Sequence, residues 1–183
     1  MAYLRATKKV LSRLPAPTTP DEEPVANALG DWFVNRVVIA RQPLLVIISS
    51  TSLLPIVTPA NNVRGLTERL WKLVFGRLVR LGVPDRLAQA ELEAMEPMHV
   101  APTNDRSVLG ILNQFCLDLP YVFPEGPWTR EHLMRAESRL GETPCHASRR
   151  FEDVVWPNEK AVELIWSRWA PGESRARGGS SDE

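Results

Sequence analysis

Residues able to do chemistry gather at two places where a strand-like segment runs into a helix-like one. In Arg5-Ala6-Thr7-Lys8-Lys9 and in Thr103-Asn104-Asp105-Arg106-Ser107, residues suited to capping a helix stand beside cations. Helix starts carry free N–H groups and the positive end of the backbone dipole, which attract anions. Cations there are unfavourable in isolation, so Lys8, Lys9 and Arg106 make sense if a phosphate or carboxylate sits between the two junctions. The competing reading treats Thr7 and Thr103 as ordinary caps and the cations as solvated. It rests on two facts: neither junction has the glycines of a phosphate-cradling loop, and Asp105 already offsets its own helix dipole.

Other reactive side chains form no recognisable set. His99, His132 and His146 match no zinc spacing, and the neighbours Cys145 and His146 are not a dyad, since adjacent side chains point apart. No metal and no cofactor are expected. Ser49-Ser50-Thr51-Ser52 has turn chemistry and lacks a nucleophile elbow. Arg69, Lys72, Arg77 and Arg80 recur at roughly helical spacing and would suit nucleic acid phosphates or an acidic partner. Against this, Glu91, Glu93 and Glu96 follow on the next helix, and Lys plus Arg (22) equal Asp plus Glu (22) over the chain.

These groups must be positioned by a core, and 183 residues with 44% hydrophobic and 24% charged content suffice for one. The expectation is a single domain over 1–170 and a polar tail over 171–183. Charges at Arg5, Lys8, Lys9 and Arg13 interrupt any signal-peptide core, and no apolar run approaches the roughly 20 residues that cross a bilayer. A reducing cytoplasm and no membrane contact are expected, the two cysteines giving no disulfide framework.

Ala2 to Ala6 reads as a strand, followed by a helix from a Thr7 cap through Leu14 and a Pro-rich surface loop over Pro15 to Pro24. Asp31 to Ala40 and Leu44 to Ser49 read as a hairpin turning at Arg41-Gln42-Pro43, and Leu53 to Thr58 as a third strand. Val63 to Leu81 has helical periodicity and a Gly82 stop, and Asp85 to Met95 forms a second helix. Pro97 to Pro102 returns as a strand before a helix from Asp105 to about Leu119, closed by Pro120 and capped by Thr103 or Asn104. Later helices are bracketed by Thr129 and Gly141 and start near Pro157 or Asn158, the last with the apolar stripe Val162, Ile165, Trp166 and Trp169. The fold class expected is α+β: a small, largely antiparallel sheet packed by about five helices.

Three segments carry a resemblance: Leu4-Arg5-Ala6-Thr7-Lys8-Lys9-Val10-Leu11, Asp31-Trp32-Phe33-Val34-Asn35 with Arg41, and Thr103-Asn104-Asp105-Arg106-Ser107-Val108-Leu109-Gly110. Over about residues 4–120 their order resembles an uncharacterised bacterial family of domains of unknown function. The resemblance implies one domain in a bacterial cytoplasm and supplies no mechanism. It draws attention to Thr7, Lys8, Trp32, Asn35, Arg41, Asn104 and Arg106 as one site. The functional expectation is a non-enzymatic binding or regulatory module for an anionic group on a ligand, protein or nucleic acid. Lys8, Lys9, Arg41 and Arg106 would supply charge, while Thr7, Thr103, Asn104 and Ser107 supply hydrogen bonds. The alternative is an enzyme on a phosphorylated or carboxylated substrate, with His99 or Asp105 carrying a proton.

Overall fold

In the computed structural model, which describes residues 1–19, 26–123, 128–146 and 154–173, all five residues of β1 (Ala2–Ala6) are buried. A strand buried on both faces belongs in the interior of a sheet. Accordingly β1 lies between β2 (Trp32–Ile39) and β5 (Met98–Pro102), while β3 (Gln42–Ser49) and β4 (Pro55–Pro59) extend the other side, in the order β4-β3-β2-β1-β5. β2, β3 and β4 form the expected antiparallel meander, but β1 runs parallel to both neighbours. The sheet is therefore mixed, not largely antiparallel. Chain length between strands explains the difference, because parallel neighbours need a crossover of a dozen or more residues and antiparallel ones only a turn. β1 and β2 are separated by residues 7–31, which include α1 (Lys8–Leu11), and β4 and β5 by α2 (Leu66–Arg80) and α3 (Asp85–Met95).

Three further helices, α4 (Arg106–Val122), α5 (Arg130–Gly141) and α6 (Pro157–Trp169), bring the described total to six, with a two-stranded sheet of β6 (Cys145–His146) and β7 (Val154–Val155). The helices sort onto the two faces of the large sheet. On one, Leu4, Trp32, Ile47 and Ile56 pack with Leu70 and Val74 of α2, Ala88 of α3 and Ile165 of α6. On the other, Phe33, Val46 and Ile48 pack with Leu112 and Phe115 of α4 and Leu133 and Ala136 of α5. Alternate residues of one strand thus enter different cores, the period-two geometry of a pleated strand.

Several boundaries differ from the sequence expectation. The hairpin turns at Ala40 and Arg41, with φ of 48° and 67°, instead of at Arg41-Gln42-Pro43. Both central residues in the left-handed region match the twist of the flanking strands. α1 stops at Leu11 instead of Leu14, and α4 continues through Pro120 to Val122, because a proline in the last turn removes only a terminal ladder bond. Gly82 does end α2: at φ 78° it reverses the chain, and Val83 N–H reaches back to Leu78 O. The Pro15-to-Pro24 loop is exposed as far as Thr19, and Thr18 N–H bonds Val100 O. Its remainder, and residues 174–183 of the expected tail, lie outside the described residues.

Candidate functional site

The parallel pairing of β1 with β5 sets Ala6 opposite Pro102, so the two strand-to-helix junctions leave the same end of the sheet side by side. Neighbouring strands are about 4.8 Å apart, which makes Thr7 and Thr103 neighbours although 96 positions separate them. From there the chains part. α1 sends Val10 into the core on the α2 side, and α4 sends Val108 and Leu112 into the core on the opposite face. Adjacent strands whose connections leave to opposite faces open a crevice beyond their carboxyl ends, where α/β proteins hold ligands. Lys8, Lys9, Asn104, Arg106 and Ser107 are all exposed around this point.

Thr7 does not cap α1. Its hydroxyl donates to Asn35 Oδ1 at 2.9 Å, and Asn35 Nδ2 donates to Asn113 Oδ1 at 3.1 Å, tying the end of β1 through β2 to α4. Asp105, not Thr103 or Asn104, caps α4: its Oδ1 accepts Ser107 N–H at 2.8 Å, Val108 N–H at 3.2 Å and the Ser107 hydroxyl at 2.7 Å. The Ser107 hydroxyl, ahead of the two amides, holds this carboxyl below its ordinary range. α4 therefore carries its own anion, and α1 is a single turn. The exposed cations at this end are the side chains of Lys8, Lys9 and Arg106. Replacing Asp105 with Ala removes the cap and is expected to cost about 1 kcal/mol in a urea unfolding midpoint comparison. Asp105→Asn, which keeps an acceptor, should lose much less.

Two of the expected site residues are not brought here. Trp32 is fully buried on the α2 side, and its Nε1 has no hydrogen-bond partner. Arg41 sits at the tip of the β2–β3 hairpin, whose strands run on past the end of β1, roughly 20 Å from Thr7 by strand rise. Of the expected basic stripe of α2, Arg77 is buried, while Arg69 is half-buried and Lys72 and Arg80 are exposed. Arg77 is 1% exposed, Arg80 pairs with Glu137, Arg69 bonds Asn61 Oδ1 and Pro59 O, and the Lys72 ammonium lies 5.1 Å from the Trp71 ring centre.

The histidines and cysteines are likewise separate. His99 is on β5 beside the Tyr3 ring, His132 completes a capping box with Thr129, and His146 is on β6. Burial pushes the thiols of Cys116 and Cys145 up to about 11, and the Lys9 ammonium only partly counters this at Cys116. No cluster of His, Cys, Asp or Glu able to hold a metal occurs among the described residues. Ser49 and Ser52 form a buried turn, their hydroxyls 2.6 Å apart. No helix among the described residues is long and apolar enough to cross a membrane.

One polar group near the site escaped sequence reasoning. Asp31 Oδ2 pairs with Arg5 Nε at 2.6 Å, both side chains being nearly buried, and its Oδ1 accepts Tyr3 N–H at 3.0 Å. The Arg5 guanidinium lies 5.1 Å from the Tyr3 ring centre and reaches Pro102 O at 3.5 Å. Asp31 thus occupies the β1 amide just before β2 begins, and Arg5 braces the carboxyl ends of β1 and β5 beneath the junctions. Alternation within Leu4-Arg5-Ala6 was the available signal: if Leu4 and Ala6 face one core, Arg5 must face the other side of the sheet.

A family model described as Domain of unknown function (DUF6933) matches residues 3–160, extending past both junctions and through α5. No curated protein and no solved structure matches the chain.

Proposed function

We propose that this chain, which belongs to the DUF6933 family, is a non-enzymatic binding module that holds an anionic group over the carboxyl ends of β1 and β5. The observation that carries the reading is the Ala6–Pro102 register, which makes neighbours of two cation-bearing junctions that then depart to opposite faces. Lys8, Lys9 and Arg106 supply the charge. None of the three side chains has an ion pair or hydrogen bond among the described residues, so each is available to a ligand. Thr103 and Asn104 supply hydrogen bonds, and the Thr7–Asn35–Asn113 chain keeps the junction rigid. Charge-assisted contacts of this kind favour a phosphate or carboxylate. Asp105, held ionised by its cap contacts, is a poor proton donor, which favours binding over acid catalysis at this end.

A thermal-shift screen with inorganic phosphate, nucleotides and short oligonucleotides tests the reading. A native-state ligand at about a hundred times its Kd adds about 2.7 kcal/mol to stability, enough to raise the melting temperature by several degrees. The expected result is such a rise with at least one phosphate-bearing probe, abolished in Arg106→Ala and in the double variant Lys8→Ala/Lys9→Ala. A screen in which no anionic probe shifts the transition, or in which the shift survives both variants, removes the reading.

A further inference from the structure

A cavity of about 720 Å³ lies elsewhere: between α2, the end of α3 and the beginning of β5. Its apolar lining is Leu92, Met95, Pro97 and Met98, and a second depression of about 230 Å³, sharing Trp71, Leu92 and Glu96, continues it along α3 past Gln89. The residues of each bank share one helix face. Glu68 and Trp71 are three apart on α2, while Gln89 and Glu93 are four apart on α3, with Glu96 just beyond. Trp71 is 44% exposed and presents its ring beside the trough.

The charge on these banks is of one sign. The Glu68 and Glu96 carboxylates have no ion pair or hydrogen bond among the described residues, and the Glu93 carboxylate has only the Gln89 amide at 3.3 Å. Two cations are near: the Lys72 ammonium, drawn to the Trp71 ring, and the Met1 ammonium, which donates to Ala94 O at 2.6 Å; neither reaches a groove carboxylate. On a chain with no net charge, three carboxylates around one apolar trough call for a cationic, partly apolar occupant. Two connected depressions along half a helix exceed what one ammonium group fills. Methionine in the lining adapts to varied side chains.

We propose that this groove docks a short basic segment of a partner protein. An apolar side chain of the segment lies on Leu92 and Met95, and its lysine or arginine groups meet Glu68, Glu93 and Glu96, with one able to stack on Trp71. The groove opens at the amino end of β5, about 13 Å along the strand from the junctions, and stands independently of the anion site.

The test is fluorescence anisotropy of labelled synthetic peptides with the full chain: one alternating lysine with leucine, its counterpart alternating glutamate with leucine, and tetramethylammonium as competitor. The lysine peptide should bind and weaken with added salt. Its Kd should rise about tenfold in Trp71→Ala and in Glu93→Gln/Glu96→Gln, and stay unchanged in Arg106→Ala. All these positions are on the surface, and a thermal melt of each variant checks folding. The proposal is overturned if the glutamate peptide binds as well, if no basic peptide binds, or if affinity survives the groove variants. Full displacement by millimolar tetramethylammonium would also overturn it, marking a pocket for a small cation.

Discussion

Replacing Arg77 with Ala is expected to destabilise the protein by about 3–5 kcal/mol, the scale for removing one member of a buried charge network. Arg77 is the one arginine of α2 turned fully inward. Its Nε donates to Pro55 O at 3.2 Å, and its Nη2 to Glu137 O at 3.1 Å and Asn158 Oδ1 at 2.6 Å. One guanidinium thereby ties α2 to β4, α5 and α6. Burial pushes its pKa down to about 10, against the pull of Glu137, so it remains charged at neutral pH. The Glu137 carboxylate accepts Val57 N–H at 2.9 Å, closing an outward amide of the edge strand β4, and pairs with Arg80 at 2.5 Å. Loss of Arg77 removes a donor from Pro55 O, Glu137 O and Asn158 Oδ1 and leaves the buried Glu137 carboxylate with Val57 N–H and the Arg80 cation. Arg77→Lys should recover part of the loss, since one ammonium cannot reach all three acceptors. Arg80→Ala should cost less than Arg77→Ala because its side chain is 32% exposed. Urea unfolding midpoints rank the three variants. Equal losses at positions 77 and 80 would show that the buried network does not carry the stability assigned to it.

Glu91→Leu is the second large effect, about 3 kcal/mol of destabilisation. Glu91 is fully buried, and its two oxygens accept Ala28 N–H, Leu29 N–H and Trp169 Nε1–H, each at 2.8 Å. The carboxylate fastens the chain entering β2 to α3 and α6, and an apolar replacement leaves those donors unpaired at about 1–3 kcal/mol each when buried. Its pH behaviour is distinctive. Burial raises its pKa above the ordinary 4.5, although the three hydrogen bonds and Arg168 favour the charged form. The folded state therefore binds the proton more tightly than the unfolded chain. The resulting contribution is fully present below about 4.5 and is lost as pH rises through the folded value. Glu137 shifts in the same direction by burial, so the clean measurement is the stability of the wild type minus that of Glu91→Gln at a series of pH values. This difference should fall from pH 4.5 upward. A flat or rising difference would show that hydrogen bonding outweighs burial at this carboxylate.

Much of the fold was legible because its signals are local. The apolar spacing of α2, the Gly82 stop, the Thr129 cap, Pro157 at the start of α6 and the stripe of Val162, Ile165, Trp166 and Trp169 all appear where their residues require. Each depends on contacts within a few positions, so spacing alone specifies it. The polar residue types Thr7, Lys8, Lys9, Asn104 and Arg106 at the two junctions are visible in the sequence, and the register that sets the junctions side by side is not.

Strand direction, partners of charged groups and exposure of tryptophans were decided by the tertiary structure. Ala2–Ala6 and Met98–Pro102 read as strands of either direction, and only the crossovers make them parallel neighbours whose ends carry both junctions. Trp32 and Trp71 are the same residue type, yet one is sealed between sheet and helices and the other stands open beside a groove. Arg77 and Arg80 are adjacent in kind and spacing, and their different fates depend on Glu137 and Asn158, some sixty and eighty positions away. Sequence determines periodicity and caps because those energies are set by neighbours along the chain. Which cation is buried, and which junction meets which, is set by contacts that exist only once distant segments have packed.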